Sequence, residues 1–302
     1  FDDLLMTTSK ASTDFVLAPT GDEWDNWRDR PDTPIADFAQ ETLAMTKRLF
    51  IQLKRRPSTL VAGVVQPLMW LVLFGALFQN VPKDLFGEST AYGQFLGAGI
   101  IVFTAFGGAL NAGLPVMFDR EFGFLNRFLV APLNSRYSIV LASALFITTL
   151  TLLQTAVIIG AGLALGSGIP TGLGLAVVAA VIVLLVFGVT ALSLGLAFAL
   201  PGHIELLAAI FVVNLPLLCA STALVPLSFM PPWLQWVAAL NPLSYAIEPI
   251  RYLYLHSDWT LGSIVLSAPF GDVTFGAALL VLVAMDVTLL IFTQPLLRRR
   301  MA

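Results

Sequence analysis

The chain has 302 residues, of which 57% are hydrophobic and only 12% charged, with a mean hydropathy of +0.85. Soluble domains run at about 45–50% apolar and about 25% charged, so this composition belongs to a membrane protein. The net charge is -3 and the basic residues gather beside apolar runs, which leaves no broad basic face for nucleic acid.

The single cysteine, Cys219, excludes a disulfide framework and a cysteine-based metal site. It is expected to be a small buried apolar side chain. No cleavable signal sequence is expected, because the first apolar span begins near Leu60, behind some sixty mostly polar residues.

Residues 1–33 read as a flexible acidic tail: Asp14, Asp22, Glu23, Asp25, Asp29 and Asp32 are interspersed with Pro19, Gly21 and Pro31. A helix is expected over 34–58. Thr33 can cap it, Pro34 suits its first position, and Asp37 and Glu41 favour the positive end of the helix dipole. Ile35, Phe38, Ala39, Thr42, Leu43, Thr46, Leu49, Phe50 and Leu53 recur at helical spacing on one face. Lys47, Arg48, Lys54, Arg55 and Arg56 load the far end and Pro57 closes it, the pattern of an amphipathic helix lying in the membrane interface.

Residues 59–302 form the membrane domain. A spanning helix needs about 20 predominantly apolar residues, and six stretches qualify. They are Leu60 to Gln79, Phe95 to Met117, two within the charge-free run from Tyr137 to Ile204 that Gly166 to Gly172 divides, Ile204 to Val225, and Val273 to Leu296. Fourteen of the sixteen Lys and Arg residues then fall on one side, with Lys83 and Arg251 on the other. The excess of Lys and Arg marks the cytoplasmic side, so both termini are expected there.

Met230 to Leu255 is apolar, rich in Trp and Tyr, and broken by Pro242 and Pro249. As a seventh span it would carry Glu248 and Arg251 into hydrocarbon, at about 2.5–3.5 kcal/mol for each charge at mid-helix. Two short re-entrant helices over about 231–255, dipping in from the outer face, fit better. Trp233, Trp236, Tyr245, Tyr252 and Tyr254 would then lie at headgroup level. The fold class is therefore an all-α integral membrane protein with six transmembrane helices, an N-terminal interfacial helix and two outer re-entrant helices before the last span.

Candidate chemistry is sparse. None of the four lysines follows a glycine, so the chain has no Walker A loop. His203 and His256 lie far apart and lack zinc-ligand spacing. Glu248 and Arg251, three apart on a helix, pair with each other, as a local prop or as an outer gate together with Asn241. Gln66 and Asn111 are candidates to line a translocation path or to hydrogen-bond between helices. Asp286, costly within a span, is a candidate by default. Two other readings stay open at this point. One is a membrane-embedded lipid-modifying enzyme, although the carboxylates scatter. The other is an ion-coupled secondary transporter using Asp286, although no repeat of broken helices is visible.

The most informative stretch is the charged island from Phe118 to Tyr137. Asp119 can cap a short helix over about 118–131, with Phe118, Phe122, Leu125, Phe128 and Leu129 on one side and Pro132 at its end. So short a helix is not stable alone; it must lie on the membrane or in a groove of another protein.

The island resembles the cytoplasmic segment that follows the second span in permeases of the ABC-2 transporter family. The residues carrying that resemblance are Asp119, Arg120, Glu121, Phe122, Gly123, Leu125, Arg127, Phe128, Leu129, Ala131 and Pro132. A second motif agrees with it: Pro232-Trp233-Leu234-Gln235, Asn241-Pro242-Leu243 and Glu248 with Arg251. The closest likeness is to small exporters of the drug-resistance and lipo-oligosaccharide type.

The resemblance implies a permease of the bacterial inner membrane that pairs with a second copy of itself and with two separate ATPase subunits. These partners would hold ATP and magnesium, and this chain would need no cofactor and be no enzyme. Asp119, Arg120, Glu121, Phe122, Gly123, Leu125 and Arg127 would form the coupling helix seated in an ATPase groove. Residues 34–58 would be the connecting helix.

Overall fold

The computed structural model describes residues 34–55, 57–78, 80, 92–123, 137–164, 169–256 and 258–301. The acidic tail, the Thr33 cap, and residues 124–136 with Leu125 and Arg127 lie outside the described residues. The helices are α1 (Pro34–Arg55), α2 (Pro57–Leu77), α3 (Tyr92–Leu110), α4 (Gly113–Glu121), α5 (Tyr137–Ala164), α6 (Gly172–Ala199), α7 (His203–Cys219), α8 (Pro232–Leu240), α9 (Pro242–Leu255) and α10 (Phe275–Met301). An antiparallel hairpin of β1 (Ile264–Ala268) and β2 (Gly271–Thr274) precedes α10.

The described residues are mostly helical, in line with the all-α expectation, and this short hairpin is a local addition to it. Its two-residue turn, Pro269 and Phe270, separates short runs of alternating burial, and Leu266 and Val273 turn inward. Val273 therefore belongs to a strand and not to the last span, which starts at Phe275. Main-chain bonds from Phe275 to Ser263 (2.8 Å) and from Gly276 to Leu261 (2.9 Å) fasten the hairpin to the head of α10.

Four helices among the described residues are long and apolar enough to cross a membrane: Phe95–Glu121, Ser138–Ala164, Gly172–Ala199 and Phe275–Pro295. Two further expected spans are shorter apolar helices, Val61–Leu77 and His203–Cys219. The span expected over Ile204–Val225 stops at Cys219, and the chain turns through 220–225. At 17 residues α7 is about 25 Å long, near the shortest length that bridges hydrocarbon. Cys219, at this end, is exposed and not buried as expected.

The second span is not continuous either: it breaks at Asn111–Ala112 and resumes as α4. Pro115 explains the break, because it lacks an N–H and its ring crowds the carbonyl four residues back, at Asn111. Leu114 N–H takes that carbonyl instead, at 3.1 Å. Ser193 of α6 satisfies the remaining groups: its Oγ accepts from Gly113 N–H at 2.9 Å and donates to Leu110 O. No water reaches hydrocarbon to do this, so a hydroxyl from a neighbouring helix substitutes.

α6 is the axis of the bundle, packed against α3, α4, α5, α9 and α10. Its residues Val178, Val181, Ile182, Leu185, Val186 and Leu194 are buried. Against α10 it is cut away at Gly188, where an added Cβ would lie 2.0 Å from Asp286 Oδ1 and 3.2 Å from Asp286 Cα. α1 lies along α5, with Phe50 edge-on to Phe146 at 5.0 Å. Phe38, Thr42, Thr46, Leu49, Phe50 and Leu53 of the expected apolar face are buried or half-buried, whereas Ile35, Ala39 and Leu43 are exposed.

Helices α8 and α9 divide at Pro242 as expected, but Pro249 does not break α9, which runs through it to Leu255. Trp233 and Trp236 are exposed, whereas Tyr245 is buried in the core.

Gly188→Ala should lower the thermal unfolding midpoint in detergent, at a cost of about 1–3 kcal/mol for overpacking. Gly172→Ala, where an added Cβ meets nothing within 4 Å, should not. Removing the obstructing carboxyl in the double variant Gly188→Ala, Asp286→Ala should restore part of the loss. Equal midpoints for the wild type and the Gly188 variant would refute the close approach.

Candidate functional site

Three consecutive charged side chains end α4, and each holds a different element. Asp119 does not cap a new helix, as its sequence position led us to expect; it lies within the last turn of α4. There its carboxylate accepts two bonds from Arg48 Nη2 of α1, at 3.0 and 3.3 Å. Both partners are part-exposed, so the pair contributes at most about 1 kcal/mol of stability and acts chiefly to fix geometry.

Arg120 reaches the end of α6, where the last carbonyls of a helix have no intrahelical donor. Its Nη1 donates to Ala197 O (2.7 Å) and Phe198 O (3.3 Å), and its Nη2 to Leu200 O (2.5 Å) and Pro201 O (2.7 Å). A cation at the negative pole of α6 is also the favourable sign.

Glu121 does the reverse at the start of α7. Gly202, the N-cap residue, has no side chain to supply a cap. The Glu121 carboxylate takes that place, accepting the His203 N–H at 2.7 Å and meeting His203 Nδ1 at 2.5 Å. Phe118 adds a ring contact to His203 at 5.2 Å between centroids. A Cβ at position 202 would come within 2.8 Å of Glu121 Oε1, so the small residue makes room for this cap from another helix.

α4 closes at Phe122, whose N–H bonds to Phe118 O at 2.9 Å, and the chain leaves through Gly123 at φ +74. That left-handed conformation suits glycine and turns the chain into residues 124–136. Phe122 is exposed and stacks on Phe118 with ring centroids 6.2 Å apart.

A second cluster lies where α6 begins, beside α9. Arg251, 6% exposed, forms an ion pair with Glu248 as the sequence spacing predicted. It also donates to Thr222 O at 2.6 Å and to Phe95 O at 3.4 Å, and its guanidinium sits 3.5 Å over the Phe95 ring. Asn241 joins two helices: its Oδ1 caps α9 at Leu243 N (2.9 Å), and its Nδ2 donates to Leu217 O (2.8 Å) and Ala220 O (2.6 Å) at the end of α7. The outer-gate candidates are thus a buried brace linking α3, α7 and α9.

The path candidates separate. Gln66 and Asn111 line one cavity of about 520 Å³ between α2, α3, α5 and α7, with Trp70, Phe103 and Phe146 among its walls. Asp286 does not line it; it is buried against α6 at Gly188. Two polar residues missed in the sequence, Gln154 and Asn214, lie in the same wall. Gln154 is 6% exposed, and its Nε2 donates to Gly63 O across the helix interface at 3.1 Å. Each stands alone in an apolar span, as Gln66 and Asn111 do, so the signal that singled out those two applied here as well. Among the described residues no group of three His, Cys, Asp or Glu side chains is placed to hold a metal.

Among the described residues the arrangement is an apolar bundle with a polar-dotted cavity, one end braced at Arg251 and another where the last turn of α4 is tied to α1, α6 and α7. The family model for the ABC-2 type transporter matches residues 40–255. The "Putative transport permease ycf38" of Porphyra purpurea is 52% identical over 273 residues, covering 90% of this chain and 94% of that relative. The "Daunorubicin resistance ABC transporter permease protein DrrB1" of Streptomyces coeruleorubidus is 30% identical over 241 residues, 76% of this chain and 81% of its own length. The "Probable doxorubicin resistance ABC transporter permease protein DrrC" of Mycobacterium tuberculosis is 28% identical over 262 residues, 83% and 88% respectively. With its apolar helices, its continuous match and its permease relatives, the chain belongs to the ABC-2 type transporter family and is a multi-pass membrane permease.

Proposed function

We propose that the chain is the transmembrane subunit of an ATP-driven exporter. It would work as a pair of copies with two separate ATPase subunits that hold ATP and magnesium. The substrate would be an amphipathic, drug-like or lipid-linked compound moved outward along the cavity that Gln66 and Asn111 line. In this reading α2, α3 with α4, α5, α6, α7 and α10 are six spans. Both termini lie in the cytoplasm, and α8 and α9 dip in from the outer face. The setting in this reading is the cytoplasmic membrane of a bacterium, as for the Mycobacterium and Streptomyces relatives, although the more similar relative from Porphyra purpurea is a ycf38 protein of plastid type.

The observation that carries the reading is the triple tie at Asp119, Arg120 and Glu121, immediately before residues 124–136. A push delivered to residues 124–136 by a closing ATPase pair would reach α1 through Arg48, α6 through Arg120 and α7 through His203. The segment would thus act on three helices at once, two of them consecutive spans. Ion-coupled carriage through Asp286 is the weaker reading, because that carboxyl lies away from the cavity and packed against Gly188.

In vesicles reconstituted with the ATPase, Glu121→Ala with Arg127→Ala should leave membrane insertion and basal ATP hydrolysis intact. Substrate-stimulated hydrolysis and export should fall by about tenfold or more, the scale of one lost charge-assisted hydrogen bond. Export at the wild-type rate in that variant would overturn the coupling role. Transport that persists without ATP and collapses with the proton gradient would instead favour Asp286.

A further inference from the structure

α1 meets the rest of the protein with one face and leaves the other bare. Its inner face packs beside α5, where Phe50 sits edge-on to Phe146 at 5.0 Å, and Arg48 is held by Asp119 of α4. Most of the apolar face expected to lie on the membrane is thus engaged by the bundle.

Away from that face Leu43, Lys47, Ile51 and Lys54 are all exposed, with Arg55 close by. They follow one another at i, i+4, i+8 and i+11, the spacing of a single stripe along a helix. Leu43 is 66% exposed and Ile51 42%, so the stripe alternates apolar and basic side chains. No acidic side chain among the described residues forms an ion pair with Lys47, Lys54 or Arg55. The acidic residues of α1, Asp37 and Glu41, lie in its first half, at least about 9 Å along the helix from Lys47.

The neighbours of α1 set the depth of this stripe. Ser138–Ala164 of α5 is long and apolar enough to cross a membrane. Phe146 is about 12 Å along that helix from Ser138, so its contact with Phe50 sets the second half of α1 beside the first turns of a span. One residue past Arg55 the apolar helix α2 begins. The bare stripe therefore faces away from the bundle where headgroups give way to acyl chains. Apolar side chains there reach the acyl boundary, while lysine stems lie along it and lift their ammonium groups to the phosphates.

We propose that the stripe of Leu43, Lys47, Ile51 and Lys54, with Arg55, is a docking surface for anionic phospholipid. Each basic residue near an anionic membrane surface strengthens attachment about fivefold. The inference goes beyond the permease reading and holds for the chain with or without an ATPase.

The full chain alone is placed in nanodiscs, carrying Cys219→Ser and a bimane on Ala44→Cys, an exposed position beside the stripe. The quencher is a nitroxide high on the acyl chain of either phosphatidylglycerol or phosphatidylcholine, at equal mole fraction in a phosphatidylcholine bilayer. The local excess of phosphatidylglycerol, read from the two quenching curves, should be about fivefold or more. It should fall to parity when Lys47→Gln, Lys54→Gln and Arg55→Gln are combined, and in about 1 M salt, where the screening length is about 3 Å. Lys47→Arg with Lys54→Arg should retain it, because the contact is one of charge. A bimane on the exposed position Ser228→Cys, outside α1, should show no preference.

Equal quenching by the two lipids at Ala44→Cys, an excess that survives the triple change, or an equal excess at Ser228→Cys would overturn the proposal. So would a triple variant that loses capture of the ATPase while the chain alone shows no lipid preference, which would make the stripe a protein-docking surface.

Discussion

The structure turns on how the open ends of two successive helices are satisfied by side chains of a third. α6 ends in carbonyls and α7 begins in N–H groups, and only a few residues, including Pro201 and Gly202, separate them. A bare helix end is costly away from bulk water. Arg120 answers the carbonyls and Glu121 the N–H, each with the sign that suits its helix dipole. Adjacent residues of opposite charge at the end of α4 thus meet adjacent poles of opposite sign. Asp119, one residue earlier, ties the same turn to Arg48. The relative placement of α1, α4, α6 and α7 depends on this one turn.

The same economy recurs wherever the bundle departs from straight helices. Ser193 closes the break that Pro115 opens, Asn241 serves the end of α7 and the start of α9 together, and Arg251 braces α3, α9 and the turn at Thr222. In an apolar protein the hydrophobic effect does not choose between helix partners once lipid is the solvent, so local polar contacts and close packing must specify the arrangement. Gly188 against Asp286 is the packing counterpart.

Much of this was legible in the sequence, and the parts that were not have physical reasons. Charge-free runs located the long helices, and glycines 166 to 172 located their division. The three-residue spacing of Glu248 and Arg251 predicted their pair, because neighbours on a helix are set by its pitch. The break at Asn111 was signalled by Pro115 but hidden by an unbroken apolar run. The hairpin was masked because its alternation is short and abuts the apolar start of α10. Asp119 looked like an N-cap because a carboxylate accepts from the free N–H groups that open a helix, but the chain is already helical from Gly113, so Asp119 lies in a last turn and pairs with Arg48. The role of His203 had no local signal, since its partner lies 82 positions away. Gln154 carried the same signal as Gln66, but its partner, Gly63 of α2, is set only by how α5 packs.

If the last turn of α4 holds α6 and α7 as described, the first amides of α7 are protected by Glu121 from another helix. Hydrogen–deuterium exchange on the full chain in nanodiscs, comparing the wild type with Glu121→Ala, measures this directly. Exchange should rise at His203 and the next turn, while the amides of α9 around Ala246 and Ile247 keep their protection. Unchanged exchange at the start of α7, or an equal rise throughout the bundle, would contradict a tie at that turn.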